Sequence, residues 1–161
     1  MKEIKGDLIE LAKNANFDVI GHGCNCFCTM GKGIAPQIKL AFPKAWAADQ
    51  STKYGDIKKL GNYTRADVPV YDENDQSYIL SVLNIYSQYR YNKRGENKQH
   101  LDYDALTLSL KKINNDFKGK SIGLPQIGAG LGGGDWKLIK QIIEKELKDM
   151  DVTIIYFENK K

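Results

Sequence analysis

Two segments of this chain share one arrangement: a short apolar run without helical period, an abrupt glycine-rich stretch, then apolar residues at helical spacing. In the first, residues 18–24 (Asp-Val-Ile-Gly-His-Gly-Cys) lead to Gly31 and Gly33 and on to Ile34, Ile38, Leu40, Ala41 and Phe42. In the second, residues 120–124 lead into Pro125-Gln-Ile-Gly-Ala-Gly-Leu-Gly-Gly-Gly-Asp-Trp and a helix predicted from Trp136 to about Met150. A continuous apolar run fits a strand buried on both faces. Parallel strands need crossover connections, usually helices, so the pattern restricts the chain to an α/β fold.

The remaining elements fit the same plan. Residues 63–70 and 78–86 read as two strands joined by a polar hairpin loop at 72–76, with the second, more apolar strand central. Residues 45–54 have helical composition ending at Gly55, and Lys58 and Lys59 are expected to be solvated. A helix over 101–117 has Leu106, Leu110 and Ile113 on one face and Asp102 placed to cap it. Residues 152–157 supply the last strand. The expected architecture is three-layer α/β/α, with a central mixed, mostly parallel sheet. With 161 residues, 42% hydrophobic and 27% charged, the chain reads as one globular domain over residues 1–161, expected to be a monomer.

The net charge of +4 suits an anionic small molecule and is weak support for nucleic acid. Cys24, Cys26 and Cys28 are odd in number and alternate, as expected of reduced thiols in a cytoplasmic protein. Their spacing is too short for zinc motifs, so no metal and no cofactor is expected. No apolar stretch approaches the ~20 residues of a membrane span, and no signal peptide is evident.

Glycine loops at strand ends let backbone N–H groups approach phosphate oxygens unhindered by a Cβ, and a following helix N-terminus adds partial positive charge. Two such loops make a two-sided clamp for a diphosphate. Neither has the Walker A or the dinucleotide fingerprint spacing, which lowers ATP hydrolysis and hydride transfer as readings. Residues 89–100 form a polar, basic and aromatic arm too long for a tight turn, read as a functional loop or a solvated connector. Its Tyr89-Arg-Tyr-Asn-Lys-Arg run also interleaves aromatic and basic side chains as a single-strand platform does.

Four segments in order, Gly6-Asp7-Leu8, His22-Gly-Cys-Asn25, Gly31-Lys-Gly-Ile-Ala35 and Ile127-Gly-Ala-Gly-Leu-Gly132, resemble the macrodomain family over nearly the whole chain. The run from His22 through Met30-Gly-Lys-Gly-Ile-Ala is most similar to the branch of ADP-ribose 1″-phosphate phosphatases. The resemblance implies an ADP-ribose site. Asp7, beside Leu8, would accept a hydrogen bond from the adenine amino group, and Asn25 would bind distal ribose hydroxyls. Gly31, Gly33, Ile34 and Ala35 would line one side of the diphosphate. Gly128, Ala129, Gly130, Leu131 and Gly132 would line the other, with Ile127 and Leu131 walling the cleft.

Two departures bear on the reaction. Ala35 stands where one hydrolase branch has an aspartate, and Gln88 matches the position of a catalytic lysine in another; an amide cannot form a Schiff base. His22 and Asp135 are the expected catalytic pair of a phosphatase releasing phosphate from ADP-ribose 1″-phosphate. Each has a second reading: His22 as a neutral histidine hydrogen-bonded within the strand layer, Asp135 as the cap of the helix from Trp136. Phe27, Tyr89, Tyr91 and Trp136 could cover the cleft, with Trp136 equally suited to core packing. The alternatives are a hydrolase acting on ADP-ribosylated macromolecules or O-acetyl-ADP-ribose, and a non-catalytic ADP-ribose reader.

Overall fold

The computed structural model describes residues 1–158. Its chain order is β1 (Lys2–Gly6), α1 (Leu8–Lys13), β2 (Val19–Cys24), α2 (Ala35–Ala41), α3 (Pro43–Gln50), a 3-10 turn (Ile57–Lys59), β3 (Tyr63–Tyr71), β4 (Ser77–Tyr86), α4 (Tyr103–Asp116), β5 (Ser121–Leu124), α5 (Trp136–Glu146) and β6 (Asp151–Phe157). The six strands form one sheet in the order β1-β6-β5-β2-β4-β3. All neighbours are parallel except the β3/β4 hairpin, which runs antiparallel at one edge. The fold is the expected mixed α/β sandwich.

Helices cover both faces, which explains why β2 and β4 are apolar without alternation. On one face Leu106, Leu110 and Ile113 of α4 and Ile139 and Ile143 of α5 pack on Val19, Leu83, Ile85 and Leu124. On the other, Leu8, Ile9 and Ala12 of α1, Ile38 of α2 and Ala45 of α3 pack on Ile20, Leu80, Val82 and Ile155. Asp102 caps α4 by accepting from Ala105 N at 3.0 Å.

Three expectations are corrected. The helix from Trp136 ends at Glu146, not Met150, because Leu147 leaves helical geometry. The helix after Pro43 ends at Gln50, where Ser51 and Thr52 turn the chain, rather than at Tyr54. Lys59 is buried, not solvated: its ammonium donates to Thr52 Oγ1 at 2.7 Å and lies 5.3 Å from the Tyr86 ring, whose hydroxyl donates to Asp49. Among the described residues no helix is long and apolar enough to cross a membrane.

Candidate functional site: a cleft between two glycine loops

At the carboxyl ends of β2, β4 and β5 the sheet opens into a cleft of about 360 Å³. Its floor is Gly23, Cys24 and Asn25 at the end of β2. One wall is residues 31–35, leading into α2, and the other is Pro125, Gln126, Ile127, Gly128, Gly130, Leu131 and Gly132 after β5. Gln88, Tyr91 and Asn92 enter from the segment after β4.

The glycines of the walls divide by what holds them. A Cβ on Gly132 would meet the Gly128 carbonyl oxygen at 2.8 Å, and Gly128 itself has φ +75°, so the fold requires both. Gly31 and Gly130 differ: a Cβ on either would meet nothing within 4 Å, and neither has a left-handed backbone. No packing contact of these two explains the lack of a side chain.

The cleft brings together Asn25, Gly31, Gly33, Ile34, Ala35, Ile127, Gly128, Gly130, Leu131 and Gly132 of the expected ligand residues. Asn25 is tied into a turn, its Oδ1 accepting from Phe27 N at 2.8 Å and its Nδ2 donating to Thr29 Oγ1 at 2.7 Å. Ala129 instead packs against the α4/α5 core. Asp7 and Leu8 lie at the same end of the sheet but off this cleft. Asp7 Oδ1 caps α1, accepting from Ile9 N at 2.9 Å and Glu10 N at 3.2 Å, while Leu8 is buried in the α1 core.

Neither expected catalytic residue reaches the cleft. His22 is fully buried, with Nε2 2.7 Å from Asn84 Oδ1. Asn84 in turn donates to the Ala45 carbonyl at 2.9 Å and to Thr64 Oγ1 at 3.0 Å, which leaves its oxygen to accept from His22 Nε2–H. Strand alternation is the reason: Gly21 faces Ile85 and Leu124 on the α4/α5 side, so His22 points to the α1–α3 side. Asp135 is exposed and caps α5, accepting from Lys137 N at 3.0 Å, while its own N–H donates to the Tyr103 hydroxyl.

Burial lowers the His22 pKa from 6.5 to about 4. The unfolded chain takes up a proton between those values and the folded chain does not, so this contribution to stability is complete above about pH 6.5 and is lost as pH falls toward 4. Urea titration should show about 2 kcal/mol more loss between pH 7 and pH 5 in the native sequence than in His22→Gln. Equal losses would remove His22 as the cause. Burial also pushes the Cys24 thiol up and the Cys26 thiol up to about 11, so both stay protonated.

Residues that the sequence reading passed over complete the site. Lys32 carries the only charge among the described residues lining the cleft. Its ammonium donates to the Asn92 carbonyl at 3.0 Å, and Asn92 Nδ2 donates to the Leu131 carbonyl at 3.2 Å, so the arm spans both glycine walls. His100 Nε2 and Lys98 N hold Asn92 Oδ1 at 2.9 and 3.0 Å. The position of Lys32 between Gly31 and Gly33 was a usable signal; nothing in the arm's sequence singled out Asn92. Phe27 stacks edge-on with Tyr89 at 4.9 Å and Tyr91 at 6.3 Å, shaping the arm's base, whereas Trp136 packs against the α4/α5 core and donates to the Tyr156 hydroxyl on β6, off the cleft. Among the described residues no group of three or more His, Cys, Asp or Glu side chains is arranged to hold a metal ion.

The Macro domain family model matches residues 22–143, a span that includes both loops, the arm and most of α5. The chain belongs to the macrodomain family. This macrodomain is 36% identical to an uncharacterised 17.5 kDa protein of Enterobacteria phage T4, over 98% of this chain and 97% of that one. It is 28% identical to an ADP-ribose 1″-phosphate phosphatase of Saccharomyces cerevisiae, covering 94% of this chain and 95% of the yeast protein. Identity to a DNA ADP-ribosyl glycohydrolase of Mycobacterium tuberculosis is also 28%, over 92% of this chain but only 40% of that protein. Its fold matches the solved macrodomain of Thermus aquaticus DarG with a TM-score of 0.68 at 22% identity, over 98% of this chain and 97% of that one.

Proposed function

We propose that this macrodomain binds ADP-ribose derivatives in the cleft and hydrolyses them at the distal ribose, with ADP-ribose 1″-phosphate as substrate and ADP-ribose and phosphate as products. The observation that carries the binding is the pair of unpacked glycines, Gly31 and Gly130, one on each wall. With no side chain at Gly31 or Gly130, a bulky polar group such as a diphosphate can lie against the backbone of both walls and meet N–H groups there. Lys32 supplies the one cationic side chain there. Asn25 at the floor would meet the distal ribose, and the Asp7 carboxylate, whose Oδ1 caps α1, would offer Oδ2 to the adenine amino group.

The phosphatase reading is supported by the yeast relative, which matches over nearly the full length of both chains. His22 and Asp135, off the cleft, would serve this reaction by holding β2 and α5 in place. Loop amides and Lys32 would stabilise the charge on the transferring phosphoryl group as water attacks. Calorimetric titration with ADP-ribose, followed by phosphate release from ADP-ribose 1″-phosphate, tests both parts. Saturable binding with release is expected; binding without release would discard the phosphatase step, and no binding would discard the site.

A second reading, removal of ADP-ribose from a nucleic acid, is favoured by Arg90, Lys93, Arg94 and Lys98 on the arm beside the cleft and by the mycobacterial relative. Release of ADP-ribose from a modified oligonucleotide, falling steeply with salt, would favour it over the phosphatase.

A further inference from the structure

The arm over residues 89–100 is built onto one wall of the cleft and barely touches the other. Toward the second glycine loop it is tied repeatedly. His100 N and Leu101 N donate to the Gly132 carbonyl at 3.0 and 3.1 Å, and Asn92 Nδ2 donates to the Leu131 carbonyl at 3.2 Å. Gln99 Cα lies 3.0 Å from where a Cβ of Gly133 would be. Toward residues 31–35 the arm has, among the described residues, a single hydrogen bond, from the Lys32 ammonium to the Asn92 carbonyl at 3.0 Å. Near that bond the walls themselves approach, with Leu131 Cδ1 3.7 Å from the Cβ position of Gly33. Lys32, Asn92 and Leu131 all line the cleft. The Lys32 side chain therefore runs from one wall to the arm, across the mouth. An ammonium has three donors, and the bond to Asn92 uses one of them.

We infer that the arm is a strap that closes on the ligand's phosphates: Lys32 keeps its bond to the Asn92 carbonyl and turns its remaining donors to the diphosphate. The inference rests on the ADP-ribose reading of the cleft. In the free protein, one bond from an exposed lysine to a neutral carbonyl holds weakly, because water competes for both groups. A diphosphate beside the ammonium fixes that side chain by charge-assisted bonds, and the arm is then held at both walls. Asn92 carries the closure into the arm, since its Oδ1 accepts from Lys98 N at 3.0 Å and from His100 Nε2 at 2.9 Å. Occupancy of the cleft thus orders the basic tip at Lys93, Arg94 and Lys98 and slows release of the ligand.

Hydrogen exchange of the arm amides at Lys93, Glu96 and Lys98, read in the full chain with and without ADP-ribose or adenosine, tests this. Saturating ADP-ribose should slow them about tenfold in the native sequence and leave them unchanged in Lys32→Met. Adenosine, which has no phosphate, should slow them in neither. Lys32 is exposed, so Lys32→Met should melt as the native protein does. Dissociation of ADP-ribose gives the second readout: Lys32→Met and Asn92→Ala should each release it about tenfold faster, and the double variant no faster than the worse single one. Equal protection of the arm in the native protein and Lys32→Met at saturation, faster exchange on binding, or losses that multiply in the double variant would overturn the strap while the cleft assignment stands. If the native protein does not bind ADP-ribose, the ADP-ribose reading itself fails and the closure falls with it.

Discussion

Gly130→Val is expected to weaken ADP-ribose binding at least a hundredfold while the melting temperature changes little. Valine there meets no protein atom near its Cβ and needs no left-handed backbone, so the fold should tolerate it. Its methyl groups would stand in the space proposed above for the diphosphate. A hundredfold is about 2.7 kcal/mol, a magnitude that one displaced phosphate contact and a forced shift of the ligand readily reach. Gly132→Ala makes the contrast: its Cβ would strike the Gly128 carbonyl, so thermal melting should fall along with binding. Calorimetry and melting on both variants separate a glycine kept for the ligand from one kept for the loop. If Gly130→Val binds as the native protein does, the diphosphate does not pass that point.

Asn84→Ala should be among the most destabilising single substitutions, by about 3–5 kcal/mol. The fully buried amide serves three groups at once: His22 Nε2, the Ala45 carbonyl and Thr64 Oγ1. It thereby joins β2, α3 and β3 through one side chain. Removal leaves buried polar atoms without partners and a cavity beside them. Urea unfolding reads the loss directly, and His22→Gln should be much milder because glutamine can still meet the Asn84 oxygen. A loss below about 1 kcal/mol for Asn84→Ala would mean that the pocket closes around the deletion.

These residues also show where sequence reading succeeds and where it stops. The strand, loop and helix pattern was legible because glycine clusters and hydrophobic period are local properties. The walls of the cleft followed from them, since loops after parallel strands share one end of a sheet. The direction of His22 did not follow. A strand buried on both faces carries no polar alternation, so position 22 could equally be read into the cleft or into the α1–α3 layer. The partner that settles it, Asn84, is 62 residues away. Asp135 was legible as a cap from the apolar periodicity behind it, and only the family resemblance suggested a catalytic role. Lys59 misled because charge predicts exposure unless partners converge, and Thr52 and the Tyr86 ring come from separate segments. Asn92 was invisible for the same reason: its importance lies in the Lys32 and Leu131 contacts, neither of which is near in sequence.

The placement of β1 has a kinetic consequence. This strand pairs only with β6, Lys2 opposite Thr153 and Gly6 opposite Phe157. The earliest strand of the sheet thus docks on the latest, closing a loop that contains every other element. Such a contact has the highest loop-closure cost among the strand pairings and is expected to form after the local hairpin β3/β4 and the β2/β4 pairing. During synthesis the β1 segment waits until β6 has emerged, and substitutions at this edge should speed unfolding more than they slow refolding. Hydrogen exchange should find the β1 amides opening first, ahead of the strands that carry the cleft.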